Sequence, residues 1–209
     1  MKKSELEQIF STFKNKKVLI VGDAMIDSYM WGNIERMSPE APVPIVDINK
    51  LESRLGGAAN CALNVKSLGA NPILCTVVGN DNNGVKFEEL MKESSLSTEG
   101  MLVCSDRKTT IKIRVISEGK QQLRLDEEDK HPIIIEKQFL NNFKELLNNT
   151  DVIILQDYNK GVLTKKIISE VILIAKNKGI PTIVDPKNDN FLEYKGVDIF
   201  KPNLKEIKY

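Results

Sequence analysis

Short apolar runs rich in Val and Ile alternate along the chain with segments whose apolar positions recur at helical spacing. The run "KVLIVGDAMID" at 17–27 is closed by Gly22 and has the pattern of a buried strand feeding a loop. "AANCALNVKSLGA" reads as a helix ended by Gly69, "NPILCTVVGND" as a second buried strand, "NGVKFEELMKESS" as an amphipathic helix and "TEGMLVC" as a strand. After the helix "EKQFLNNFKELLNN" the alternation resumes with strand "DVIILQDY", helix "TKKIISEVILIAKNKG", and strands "IPTIVDPK" and "VDIFKPN". Buried strands alternating with helices predict an α/β fold built on a parallel sheet.

The middle of the chain has a different period. "TTIKIRVISEGKQQLRLDEED", residues 109–129, alternates apolar and polar positions on both sides of a turn at Glu118-Gly119, which predicts a two-sided hairpin. "PVPIVDINKLESRLGG", 42–57, has the same half-exposed character. Together they predict a small second sheet set apart from the main one, with its segments at about 30–55 and 108–127. No internal repeat or low-complexity linker divides the 209 residues, so the whole chain is expected to form one domain.

Composition narrows the function classes. Hydrophobic residues make up 41%, enough for a sizeable core, and 30 Lys+Arg against 29 Asp+Glu leave a net charge of +1. That balance gives no electrostatic signature of a nucleic-acid or anionic-membrane binder. Cys61, Cys75 and Cys104 are far apart and odd in number, so they are expected to be buried thiols and not a disulfide framework or zinc site. The opening "MKKSELEQIFSTFKNKK" lacks the unbroken apolar stretch of a signal peptide, and no later stretch approaches a membrane span. A cytoplasmic location is expected.

Ligands of open α/β sheets bind at the carboxyl ends of the strands. There the first strand offers Asp23 and Asp27, a later one Gln156, Asp157 and Lys160, the next Asp185 and Lys187, and the last Lys201, Asn203 and Glu206. Any one Asp or Asn in such a place serves equally well as a helix cap or turn former. Two carboxylates leaving one buried strand, however, repel each other unless hydroxyl or cationic donors satisfy them, and a polyol supplies such donors. "LGGAAN", 55–60, puts Gly56 and Gly57 at the mouth of a helix with Asn60 on its first turn. Neither the G-x-G-x-x-G nor the G-x-x-x-x-G-K-[ST] pattern is present. The glycines are either a tight turn or room for a ligand against bare backbone, with the Asn60 amide able to donate and accept toward it.

The motifs "VGDAMID", "MSPEAPVPI", "GGAANCALNVKSLGA", "QQLRLDEED", "DYNKG", "VDPK" and "KPNLKE", in this order, resemble those of the ribokinase-like (PfkB) carbohydrate kinases. Within that family the resemblance is greatest to the kinases of D-glycero-β-D-manno-heptose 7-phosphate, which serve ADP-heptose and lipopolysaccharide core synthesis. It implies a three-layer α/β/α sheet of Rossmann-like type with a small inserted β-sheet lid, and ATP and Mg2+ as cofactors. It further implies transfer of a phosphoryl group to the C1 hydroxyl of the heptose phosphate and a homodimer formed through the lid. On this resemblance Asp23 and Asp27 hold sugar hydroxyls, Gly56 and Gly57 let the sugar lie against the backbone, and Asn60 and Asp157 contact it. Lys160 is expected to be a mobile cation for the existing phosphate. Lys187, Asn203 and Glu206 would face the ATP phosphates, with Glu206 meeting magnesium through water.

Relatives carry a "G-A-G-D" segment after the N-x-x-E motif, and its aspartate is their general base; this segment does not occur in the 209 residues, the last of which is Tyr209. The resemblance therefore puts the general base beyond Tyr209. It implies a partial kinase domain, inactive or barely active alone, with no catalytic base of its own. The H-x-G-H motif of adenylyltransferases is absent too, and the single histidine, His131, is expected to be merely exposed. Two other readings stand beside this one: a kinase of the same fold for another sugar or sugar phosphate, and a non-catalytic sugar-phosphate-binding or dimerisation module.

Overall fold

The computed structural model describes residues 3–208. Tyr209, the position beyond which the resemblance puts the general base, lies outside the described residues. Helix α1 (Lys3–Phe13) precedes strand β1 (Lys17–Gly22), which runs directly into β2 (Ala24–Met37); β3 (Pro44–Gly57) then leads into α2 (Ala58–Ser67). Next come β4 (Asn71–Gly79), α3 (Asn82–Glu93), β5 (Met101–Cys104), β6 (Ile111–Ser117) and β7 (Lys120–Glu127). The last part comprises α4 (Glu136–Leu146), β8 (Val152–Gln156), α5 (Lys165–Lys178), β9 (Thr182–Asp185), β10 (Ile199–Phe200) and α6 (Leu204–Ile207).

Six strands form the main sheet in the order β10-β9-β8-β1-β4-β5, every pair parallel. Helices pack on both faces, as a parallel sheet requires. On one face Leu19, Val21, Ile153 and Leu155 meet Phe139 and Phe143 of α4 and Ile167, Ile168 and Val171 of α5. On the other, Ile20 and Leu74 meet Ala58, Ala59 and Ala62 of α2 and Phe87 and Met91 of α3. Helix α5 is bounded as its sequence requires: Thr164 caps its start by accepting the Ile167 N–H, and Gly179 ends it at φ 66.

The second sheet has the order β3-β2-β6-β7. The 109–129 hairpin forms as expected, turning at Glu118 (φ 51) and Gly119 (φ 72), the positive values that match the twist of a two-residue hairpin turn. Two expectations are corrected. Asp23 and Asp27 do not lie on a loop, because β2 starts at Ala24 and carries Asp27 into the second sheet opposite Arg54 and beside Lys112. The strand escaped the sequence pattern because "SYMWGNIERM" is half-buried and shows no sustained alternation. Cys75 and Cys104 are buried thiols, but Cys61 is half-buried on the first turn of α2. His131 is exposed, with Nδ1 3.1 Å from the carbonyl oxygen of Pro132. No described helix is long and apolar enough to cross a membrane.

Candidate functional site

The two sheets meet where β1 ends. A Cβ at Gly22 would collide with the carbonyl of Gln156, so only glycine lets the chain turn here against β8. Asp23 follows, 1% exposed. Its Oδ2 accepts the N–H groups of Tyr158 at 2.9 Å and Lys160 at 3.1 Å, and its Oδ1 accepts that of Val162 at 3.0 Å. Its carbonyl oxygen accepts the Ala58 N–H that opens α2. Burial, and then the nearby Asp157 charge, push the Asp23 carboxyl above its usual range, while the three backbone donors oppose the rise. Asp23 is therefore a knot tying β1 to the 158–162 loop and to α2. Asp157 is used similarly, taking the Asn159 N–H at 2.8 Å, the Asn190 amide at 3.0 Å and the Tyr194 hydroxyl at 2.6 Å.

Asp27 is the accessible member of the pair, with about a quarter of its side chain exposed. One oxygen accepts from Arg114 at 2.6 Å, and the other occupies the space a Cβ at Gly56 would fill. Gly57 has φ +58, and a side chain there would strike the Asp23 carbonyl. The glycine pair thus serves the protein's own packing first: it lets β3 slide under both aspartates on its way into α2. Asn60 lies exposed one turn further on.

Lys160 is not the mobile cation expected from sequence. Its Nζ sits 2.8 Å from Glu128 and its side chain is only 11% exposed. Burial alone would raise the Glu128 carboxyl, but the ammonium groups of Lys160 and Lys112 hold it down at about 2. The buried Arg107 guanidinium donates to the Lys160 carbonyl, fixing the loop from below.

A second group gathers at the ends of β8 to β10. Gln156 donates to Asp185 at 3.0 Å, and Lys201 lies 3.2 Å from the same carboxylate. Lys187 donates to Glu206, whose other oxygen accepts the Asn203 N–H at 2.7 Å, while the Asn203 side chain accepts from Lys205 and Glu206. Asn203 and Glu206 thereby make a reciprocal cap for α6. A hollow of about 340 Å³ opens between Lys187, Asn203, Glu206 and Asn159. Tyr158 joins the two groups: Lys187 Nζ lies 5.8 Å from its ring centre, and its hydroxyl, raised first by burial, feels the charges of Asp185 and Asp27. Among the described residues no cluster of three or more His, Cys, Asp or Glu is placed to hold an ion directly.

Arg114, Glu128, Arg107 and Tyr158 were not singled out from sequence. The alternation in "IKIRV" already places Lys112 and Arg114 on the face opposite Ile111, Ile113 and Val115; nothing local marks the other three, whose partners are distant in the chain.

Residues 15–209 match the sequence profile described as pfkB family carbohydrate kinase. Over 197 residues the chain is 42% identical to the "Bifunctional protein HldE" of Campylobacter jejuni subsp. jejuni serotype O:6, covering 94% of the chain and 41% of that protein. The protein of the same name from Syntrophotalea carbinolica is 36% identical over 212 residues, 100% of the chain and 43% of its own length. The chain therefore spans about two fifths of the length of these relatives. Among solved structures, the tetrameric inhibited form of phosphofructokinase-2 from Escherichia coli superposes with a TM-score of 0.72 at 16% identity, covering 92% of this chain and 62% of that one. Arabidopsis thaliana ribokinase complexed with ribose and ATP gives 0.64 at 16% identity, covering 92% and 61%. These two likenesses speak to the fold, and the fold and the profile agree: the chain belongs to the pfkB family of carbohydrate kinases.

Proposed function

We propose that this chain forms the sugar-binding side and part of the nucleotide side of an ATP-dependent kinase acting on the C1 hydroxyl of a heptose 7-phosphate. The observation that carries the reading is the Asp27 carboxylate, part-exposed on bare glycine backbone where the second sheet meets the strand ends of the main one, with Asn60 one helical turn away. A carboxylate, an amide and backbone without side chains are the groups that bind a polyol closely. Likeness to the HldE proteins supports the heptose over other sugars.

In this reading Asp27 and Asn60 hold hydroxyls, Gly56 and Gly57 supply the close approach, and Asp23 and Asp157 are positioning residues that hold the 158–162 loop. The second sheet is the lid. The polar hollow at Lys187, Asn203 and Glu206 suits the phosphates of ATP, and the carboxylate suits a magnesium ion met through water. Both Glu206 oxygens are engaged within the protein, one of them by Lys187. A triphosphate that draws Lys187 away frees that oxygen, so nucleotide and ion are expected to bind together. ATP supplies the phosphoryl group; these residues hold and orient it. The general base is assigned to no residue up to Tyr209. The apolar face of the lid is proposed to pair with that of a second copy.

Calorimetric titration of the 209-residue chain tests the reading, with D-glycero-D-manno-heptose 7-phosphate against fructose 6-phosphate and ribose. Selective binding of the heptose phosphate is the expected result. Equal or stronger binding of fructose 6-phosphate would transfer the chain to another substrate of the same fold. The readout is binding because the motif that the resemblance assigns to the base does not occur in these residues.

A further inference from the structure

The second sheet has two unlike faces. On one, Tyr29 and Trp31 lie in successive outward positions of β2 and stack at 5.5 Å with an interplanar angle of 19°. The register sets Glu52 and Lys50 opposite them on β3 and Arg114 beside Tyr29 on β6. Arg54 and Arg114 lie 5.4 Å and 5.2 Å from the Tyr29 ring centre, and Lys50 lies 4.6 Å from that of Trp31. Three cations are thus fixed over two aromatic rings. Among the described residues two carboxylates pair with them directly, Glu52 with both Lys50 and Arg54 and Asp27 with Arg114, while Asp126 adds its charge near Arg114.

We propose that Lys50, Arg54 and Arg114, held on Tyr29 and Trp31, form the subsite for the phosphate already present on the sugar substrate, a role that rests on the sugar-kinase reading above. Direction is the first argument. β2 runs from the main sheet outward, so Asp27, Tyr29 and Trp31 form one row at about 7 Å per step. A ligand with hydroxyls at Asp27 and its reactive end toward Lys187 and Glu206 extends its far end along this row. Charge is the second. Of the other cations near the junction, Lys160 is neutralised by Glu128 and nearly buried and Lys112 is held by Asp126 and Glu128, whereas Lys50 and Arg54 are about three-fifths exposed and share a single carboxylate. A phosphate dianion arriving there offers the two cations more negative charge than Glu52 does, and guanidinium groups pair with it through two parallel N–H donors. The rings hold the cation stems in place, which lowers the ordering cost.

Trp31 is the only tryptophan in the chain, so its emission reports on this subsite directly. The experiment titrates the full chain, and its variants Arg54→Gln, Lys50→Gln and the double variant, with the heptose 7-phosphate and with the unphosphorylated heptose. Calorimetry and Trp31 fluorescence are followed at low and high salt. The expected result is a wild-type preference for the phosphorylated sugar that falls about tenfold with either substitution and further in the double variant, with a Trp31 change only for the phosphorylated ligand. A preference that survives intact in the double variant overturns the subsite while leaving the sugar-kinase reading standing. Absence of binding by either sugar to the wild-type chain overturns that reading and the subsite with it. Both substituted side chains are exposed, and circular dichroism confirms that the variants fold.

Discussion

At residue scale, four carboxylates near the junction do different work because of what faces them. Asp23 and Asp157 are enclosed and spent on the chain's own donors; Asp27 keeps an open side; Glu128 balances Lys112, Lys130 and Lys160. Gly56→Ala is expected to push the Asp27 carboxylate aside, costing about 1–3 kcal/mol of stability as overpacking does. The same change should weaken sugar binding at least about tenfold by calorimetry; wild-type affinity in this variant would separate the glycine from the site. Glu128 adds a pH signature. Its folded carboxyl, at about 2, lies below its ordinary 4.5, so the stability it contributes is present above pH 4.5 and lost as the pH falls toward 2. In urea unfolding, the gap between wild type and Glu128→Gln is therefore expected to close across that window. A gap that does not change with pH would show that the lysine pairs contribute nothing to it.

At the scale of elements, most boundaries follow from local chemistry. Helix α5 has a threonine cap, a helical stripe of Ile167, Ile168, Val171 and Ile172, and a left-handed glycine, all readable in its sequence. Gly179→Ala is expected to lower stability by roughly 1 kcal/mol, since the position is left-handed and otherwise open; thermal unfolding measures it, and no loss would place the helix end elsewhere. The hairpin was equally legible, because strict alternation ties each side chain to one face. Strand β2 was not. It owes its conformation to β3, with which it pairs along nearly all its length, and to β6, with which it pairs over Ile26–Gly32, and pairing with other segments leaves no periodic mark on the strand itself.

At the scale of the whole molecule, the other face of the second sheet remains. Ile48, Leu51, Leu123 and Leu125 are about half exposed on it, on the side away from Asp27 and Arg114. Pairing of two such faces would remove this apolar surface from water. Sedimentation of the chain is expected to give a dimer that Leu51→Asp combined with Leu123→Asp converts to monomer; a wild-type monomer at high concentration would overturn the pairing. The alternation of strands and helices apart from β2, the parallel main sheet, the separate hairpin and the family motifs were determined by the sequence alone, because each rests on hydrophobic period, caps or turn residues within a few positions. Which aspartate stays open, that Lys160 is neutralised, and that the glycine pair packs beneath Asp23 and Asp27 were decided only by the tertiary structure. Those outcomes depend on groups brought together from distant parts of the chain, Asp27 and Arg114 87 residues apart and Asp23 and Val162 139 apart, and burial and charge act through space without regard to sequence distance.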